Sequence, residues 1–463
     1  MERKSCASGP VFAAAVVLAL PVLSGTEARA DETGGDSASR SSTSLSLRLD
    51  AAAQPAVAAQ SEKPREPYNI RTTKWLAGDW GGLRQRWTDE GIKTSFILTT
   101  SFAQNFSGGL NTSNAFAVSG DWRMNLTLDL DEMNLIPGAF FFIRGKSSWN
   151  AGVDSNVGSL SPIHWVFGSG GDEEFYIDKW WYGQRFLDNR FEFRFGKLLC
   201  PADLFDIAAY AKYPWDQFMN ANLNKSPIVP HRKSLGAYLR INFNDALHLQ
   251  MVGVDADQTD AKLPADVENA LHGEANYIGI WELVWTPKFE TANGSLPGHY
   301  RFGWWYNGRS KQLFRTKPDG TRLSEWRNDD VGWYLTFDQF VWKENDDPAD
   351  KQGLGAFFRY SFAHPEVNKI NHFWSLGAQY EGLIPGRDND VLAFGMAQSI
   401  LSKTYRHHVD TRADRETLYE IYYAYHLTPW CIISPDIQFI TNPGGTKDGR
   451  DAIVGGLRCR IAF

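Results

Sequence analysis

A two-residue rhythm of apolar and polar side chains recurs along this chain, and it limits the folds open to it more than any other feature. It is clearest in Trp122-Arg123-Met124-Asn125-Leu126-Thr127-Leu128-Asp129-Leu130-Asp131, where every even position is apolar and every odd one polar. Successive side chains of a strand point to opposite faces, so such a segment has one face for oil and one for water. The rhythm returns in Phe191-Glu192-Phe193-Arg194-Phe195-Gly196, in Tyr300 to Tyr306 and in Glu416 to Ala424. Counting these segments to the C terminus gives about sixteen, the size of a porin barrel. The connections sort by parity. Short links at Met133 to Gly138, Leu187 to Arg190, Asn244-Asp245, Ile384 to Asn389 and Thr428-Pro429 alternate with long ones at Ala151 to Asp172, Cys200 to Lys233, Asp257 to Ala275, Arg309 to Asn328 and Ser402 to Arg415. A soluble sandwich has no reason to sort its loops this way, whereas a membrane barrel has short periplasmic turns and long outer loops. The expected fold is all-β, a transmembrane antiparallel β-barrel of about sixteen strands. Two links expected on the periplasmic side, Thr286 to Pro297 and Glu344 to Gln352, are long for turns and leave the count open by one hairpin.

The remainder of the chain fits an exported protein. Arg3 and Lys4, the apolar run from Val11 to Leu20 and Ala28-Arg29-Ala30 form an export signal over residues 1–30, too short to serve as a membrane helix. Residues 31–74 begin as a Ser/Ala-rich stretch that cannot bury enough apolar area to fix itself, and we read them as a flexible periplasmic leader. The barrel then occupies residues 75–463, entered through one short helix near Asp79-Trp80-Gly81-Gly82-Leu83-Arg84. Aromatics are 14% of the chain, with 18 Trp, in a sequence that is otherwise polar; aromatic girdles around a wet lumen need that mixture. The net charge of −7 offers no basic footprint for nucleic acid. Cys200, Cys431 and Cys459 match no metal spacing, so neither metal nor cofactor is expected, and Cys431 and Cys459 could pair or stay free. Asp172-Glu173-Glu174 reads as a solvated acidic cluster. No enzyme is expected: Ser402 and His407-His408 share a loop but lack a nucleophile elbow or a partner spacing. Residues 31–74 are also too few and too polar to form the plug of an energy-coupled transporter.

Several stretches in order are similar to the OprB-type carbohydrate-selective porins of bacterial outer membranes. They are Gly78-Asp79-Trp80-Gly81-Gly82-Leu83-Arg84, Phe193-Arg194-Phe195-Gly196-Lys197-Leu198, Leu235-Gly236-Ala237-Tyr238-Leu239, Pro435 to Gly444 and Gly455-Gly456-Leu457-Arg458. The resemblance implies a sixteen-stranded outer-membrane barrel through which glucose and related sugars diffuse without energy coupling. The last strand, ending at Phe463, resembles the signal by which insertion machinery recognises such barrels. Lys197 stands where the family motif leads one to expect arginine, which keeps charge but loses the planar fork.

A neutral sugar offers many hydroxyls and ring faces, so its channel needs paired donors and acceptors together with aromatics. Parity places Arg123, Arg144, Glu192, Arg194, Arg240, Arg301, Asp338, Arg359, Glu381, Glu416, Glu420 and Arg458 on the lumen side. The constriction candidates are Arg194 and Lys197, which the family motif covers, with Arg144, Glu192, Arg240, Arg301, Arg359, Glu416, Glu420 and Trp215. Trp215 and Tyr213 belong to the Cys200–Lys233 segment, long enough to fold inward and narrow the pore or to cap its mouth. Conduction requires weak binding, about 4 kcal/mol or less. A general or an anion-preferring porin, for phosphate for example, is the alternative.

Overall fold

The computed structural model describes residues 68–150, 152–164, 173–200, 203–256, 276–317, 319–347, 350–409, 414–446 and 449–463. The export signal, the leader up to residue 67, Asp172, the side chains of Glu173, Leu199 and Cys200 and the whole link at 257–275 lie outside the described residues. Sixteen strands form the wall: β1 (Ile92–Gly109), β2 (Phe116–Asp129), β3 (Ala139–Trp149), β4 (Glu173–Phe186), β5 (Phe191–Cys200), β6 (Arg232–Asn242), β7 (Leu247–Asp255), β8 (Tyr277–Trp285), β9 (Gly294–Asn307), β10 (Asp330–Lys343), β11 (Gly353–Ala363), β12 (Ile370–Glu381), β13 (Val391–Leu401), β14 (Arg415–Thr428), β15 (Cys431–Thr441) and β16 (Arg450–Ala462). Each is antiparallel to its neighbours, and β1 pairs with β16 from Ile97 opposite Ala462 to Gly109 opposite Arg450. The sheet therefore closes. Closure leaves no unpaired edge, which a backbone in hydrocarbon requires.

The links alternate as the sequence implies. At the end that carries residues 68–89 and Phe463 they run 130–138, 187–190, 243–246, 286–293, 344–352, 382–390 and 429–430; the longest, 150–172, 201–231, 256–276 and 308–329, are all at the far end. In the link at 286–293, Lys288–Thr291 folds back as a short ribbon on Gly294 to Pro297. That ribbon lengthens β9 and adds no wall strand, so the count stays at sixteen.

Parity also sets the two faces. In β2, Met124 is exposed while Asp121 and Arg123 are buried within the barrel. Phe302, Trp304, Trp333, Phe358, Leu376, Phe394, Ile421 and Ile437 continue the exposed apolar belt. Trp281 and Trp304 stack on it at 6.1 Å.

Gly81 and Gly82, at φ +67° and +89°, make the left-handed turn into α1 (Leu83–Asp89), which any side chain would strain. This turn sets Arg84 between Trp80 and Trp75, with its guanidinium carbon 4.2 and 4.5 Å from the ring centres. Arg84 Nη2 donates to the Phe463 carbonyl at 3.0 Å, and the Phe463 ring stacks on Phe96 at 4.8 Å. The first helix and the last residue thus lock together beside the seam between β1 and β16. Residues 68–74, assigned to the leader from sequence, are turns at this same end, where Trp430 Nε1 donates to the Ile70 carbonyl at 2.6 Å. Cys431 and Cys459 are free thiols.

Candidate pore constriction

The segment 203–231 folds into the barrel. Its polar backbone could not be buried without partners, and the wall supplies them. Arg359 of β11, with 0% exposure, donates to the carbonyls of Leu223 (2.7 Å), Ala211 (2.6 Å) and Asn224 (3.2 Å), and its Nε lies 3.3 Å from Asp206. Arg458 of β16, also at 0%, donates to Pro214 (2.7 Å) and Gln217 (2.6 Å). Glu420 of β14 accepts from the backbone N–H groups of Met219 (2.6 Å) and Asn220 (3.0 Å). Gln250 of β7, Glu282 of β8, Thr336 of β10 and Gln379 of β12 bind Leu204, Asp206 and Tyr210. Asn222 and Asn220, at the helical turn α3 (Ala221–Asn224), reach Ser399 of β13 and Gln438 of β15. Apolar contact completes the seat: Phe218 meets Tyr422 at 5.1 Å and Phe357 at 5.8 Å.

A second segment, 152–164, with the turn α2 (Asp154–Val157), lies against the same half of the wall. Glu416 of β14 accepts from Ser159 Oγ and Leu160 N, both at 2.8 Å, and from Gly444 N at 2.7 Å. His164 touches Ser101 of β1 through Nδ1, and its Nε2 is 3.3 Å from Asp436 of β15.

Opposite this plugged half, β2 to β6 carry a cationic wall. Arg123 pairs with Asp121 (2.6 Å), Lys146 is 3.7 Å from Asp121, Arg144 pairs with Asp178 (2.6 Å), Lys233 with Asp178 (2.8 Å), and Lys179 with Asp203. Five cations thus meet three carboxylates in these pairs. Positive charge dominates this side. The loop answers with aromatic faces: Trp215 receives the Arg123 guanidinium at 3.9 Å and stacks on Tyr213 at 4.5 Å.

The ten candidates fall into three groups. Arg194, 21% exposed, pairs with Glu192 at 2.7 Å and lies 5.1 to 5.7 Å from the rings of Tyr238, Trp181 and Phe140. Arg144, Arg301 (2.9 Å from Asp338) and Arg240 (2.8 Å to Asn242, 3.4 Å to His248) are also on the lumen face, while Trp215, on the loop, meets the Arg123 guanidinium. Arg359, Glu416 and Glu420 are spent on holding the infolded segments. Lys197 does not join Arg194: three residues on, it pairs opposite Trp180 and Leu235 and is 1% exposed, with Nζ 3.3 Å from the Ile177 carbonyl. It is buried within the wall, its ammonium on the backbone of β4 and not beside Glu192 and Arg194.

Asp178, Lys179 and Lys233 escaped the sequence reading. The register of β3 on β4 skips a residue between Lys179 and Ile177, so adjacent Asp178 and Lys179 are both buried in the barrel. No alternation pattern announces such a bulge. Ser402, Oγ of which accepts from Tyr405 N at 3.0 Å, caps the helix α4 (Lys403–Val409).

The loop carries its own pH dependence. Burial pushes the Lys225 ammonium down to about 7 from an ordinary 10.5, with Lys233 adding to the shift and Asp206 opposing it. The packed loop binds this proton less tightly than the free loop does, so the penalty is complete below pH 7 and is relieved as pH rises toward 10.5. Resistance of the loop to protease in detergent is expected to increase from pH 7 to 10. Lys225→Met is expected to flatten that dependence, and an unchanged slope would contradict the assignment.

A closed sixteen-stranded barrel with an apolar belt, a polar lumen and an infolded outer loop defines an outer-membrane porin. The family described as carbohydrate-selective porin, OprB family, matches residues 113–463. Porin B of Pseudomonas aeruginosa is 22% identical over 429 residues, covering 84% of this chain and 92% of that protein. The high-pH structure of Pseudomonas putida OprB superposes with a TM-score of 0.74 at 22% identity, covering 86% of this chain and all of that one, and its low-pH structure with a TM-score of 0.54 at 20% identity. The chain belongs to the OprB family of carbohydrate-selective porins and is a channel of the bacterial outer membrane. The end bearing the short turns and Phe463 is accordingly the periplasmic one.

Proposed function

We propose that this porin lets glucose and similar neutral sugars diffuse passively through a slot between the infolded loop and the β2–β6 wall. One observation carries the reading: Tyr213 and Trp215 on the loop face a wall where cations and carboxylates are already paired, and Arg194 with Glu192 is set among Phe140, Trp181 and Tyr238. Paired charges polarise hydroxyls from both sides, and ring faces suit the C–H side of a sugar. Arg194, Glu192, Arg144, Arg240 and Trp215 are the residues we assign to it, with Arg301 of β9 a further sugar-binding candidate on the lumen face outside that wall. The excess of cations over carboxylates favours a second reading, an anion or phosphate preference. Single-channel current in planar bilayers separates them. Glucose is expected to block reversibly at millimolar concentration, with the block weakened several-fold in Arg194→Ala; block by phosphate alone would favour the anion reading. We also assign the last strand, ending at Phe463, as the segment that barrel-insertion machinery recognises, supported by its place beside the closing seam.

A further inference from the structure

Below the infolded loop, toward the periplasmic rim, is a cavity of about 340 Å³ with a different character from the slot above it. Tyr210 of the loop and Phe340 of β10 give it two aromatic faces, and Lys343, Lys351, Asp350 and Glu381 give it two cations and two carboxylates. The Tyr210 segment is held by its carbonyl, which accepts from Gln379 Nε2 at 2.6 Å, and that same Nε2 reaches Tyr422 Oη at 2.8 Å. Gly355 permits the arrangement, because a side chain there would occupy the space of the Tyr210 ring. The charged rim is also placed. Lys343 Nζ donates to the Asp347 carbonyl at 2.6 Å, and Asp350 accepts from Gln352 N at 2.8 Å. Ser295 adds a buried hydroxyl that has no hydrogen-bond partner among the described residues.

The volume is at the low end of small-molecule sites, which run from about 300 to 1,000 Å³. A balanced set of charges attracts no ion strongly, but it offers donors and acceptors to a ring of hydroxyls. Two aromatic faces suit the apolar side of such a ring. We propose that this cavity is a second, weak binding site for a neutral mono- or disaccharide at the periplasmic exit, separate from the constriction. It rests on the sugar reading above. A solute leaving the slot would be received here before release, and a sugar arriving from the periplasm would meet it first.

The test uses the full-length porin inserted in one orientation in planar bilayers, with glucose or maltose added to one side at a time and the fluctuation of the current analysed for dwell times. Wild type is expected to show a blocking event favoured by periplasmic addition. Phe340→Ala and Glu381→Gln should each shorten its dwell three- to tenfold, while Arg194→Ala keeps it. The heat-dependent shift in gel mobility checks that each barrel is folded, and Glu381→Gln, almost isosteric, stands in if Phe340→Ala fails that check. Unchanged periplasmic dwell in the folded variants overturns the exit site and leaves the constriction standing. Loss of events from both sides in Arg194→Ala reduces the two sites to one and also overturns it. Absence of any sugar-induced fluctuation in wild type overturns the sugar reading and this proposal together.

Discussion

Arg359→Ala is expected to raise single-channel conductance several-fold, because this one side chain ties together both arms of the infolded loop, at 206–211 and at 223–224. Its guanidinium serves three carbonyls, of Ala211, Leu223 and Asn224, and also faces the Asp206 carboxylate, all without access to water. Alanine would leave those carbonyls unsatisfied and a buried carboxylate without its cation, a loss of about 3–5 kcal/mol. A loop seated mainly by such anchors cannot absorb that loss without leaving its seat. Arg359→Lys should give an intermediate result, since one ammonium cannot reach carbonyls that the planar fork reaches together. The measurement is conductance in bilayers with protease nicking between residues 203 and 231 in parallel. Larger conductance, nicking and loss of sugar block are expected together, and an unchanged conductance in a nicked loop would show that the loop does not narrow the pore.

Asp178→Asn is expected to produce the next largest effect. Asp178, fully buried, neutralises Arg144 from β3 and Lys233 from β6 at once. Asparagine keeps the shape but removes the charge and turns a donor toward one of the cations. Leaving buried charge unpaired costs about 3–5 kcal/mol, so the urea midpoint of the barrel should fall. The same change adds one net positive charge to a lumen wall that already carries an excess. The zero-current potential in a salt gradient should therefore shift toward anion preference. Stability lost without that shift would place the trio away from the ion path.

How much of this was legible in the sequence differs between wall and site, for physical reasons. Alternation has a period fixed by strand geometry, so Trp122 to Asp129, Phe191 to Phe195 and Glu416 to Ala424 announce both the strands and their two faces. Loop parity gave the direction of the chain through the membrane. What parity cannot reveal is whether a lumen residue meets water or an infolded segment. Arg359, Glu416 and Glu420 point inward as their positions imply, yet they bind loop backbone, because that depends on how 203–231 and 152–164 settle in three dimensions. Lys197 is a different case: the motif names it, but that it is buried, with its ammonium on the Ile177 carbonyl, depends on how β5 packs on β4 and could not be read from its spacing. The bulge at Asp178-Lys179 has no local signature, and it hid the wall's charge cluster.

Swelling of liposomes containing the purified porin tests the central claim most directly. In isosmotic glucose, with no potential or energy source, swelling is expected at once, falling steeply for a tetrasaccharide and recovering for that larger sugar in Arg359→Ala. Liposomes that conduct salt but do not swell in glucose would contradict the claim that this channel passes sugars.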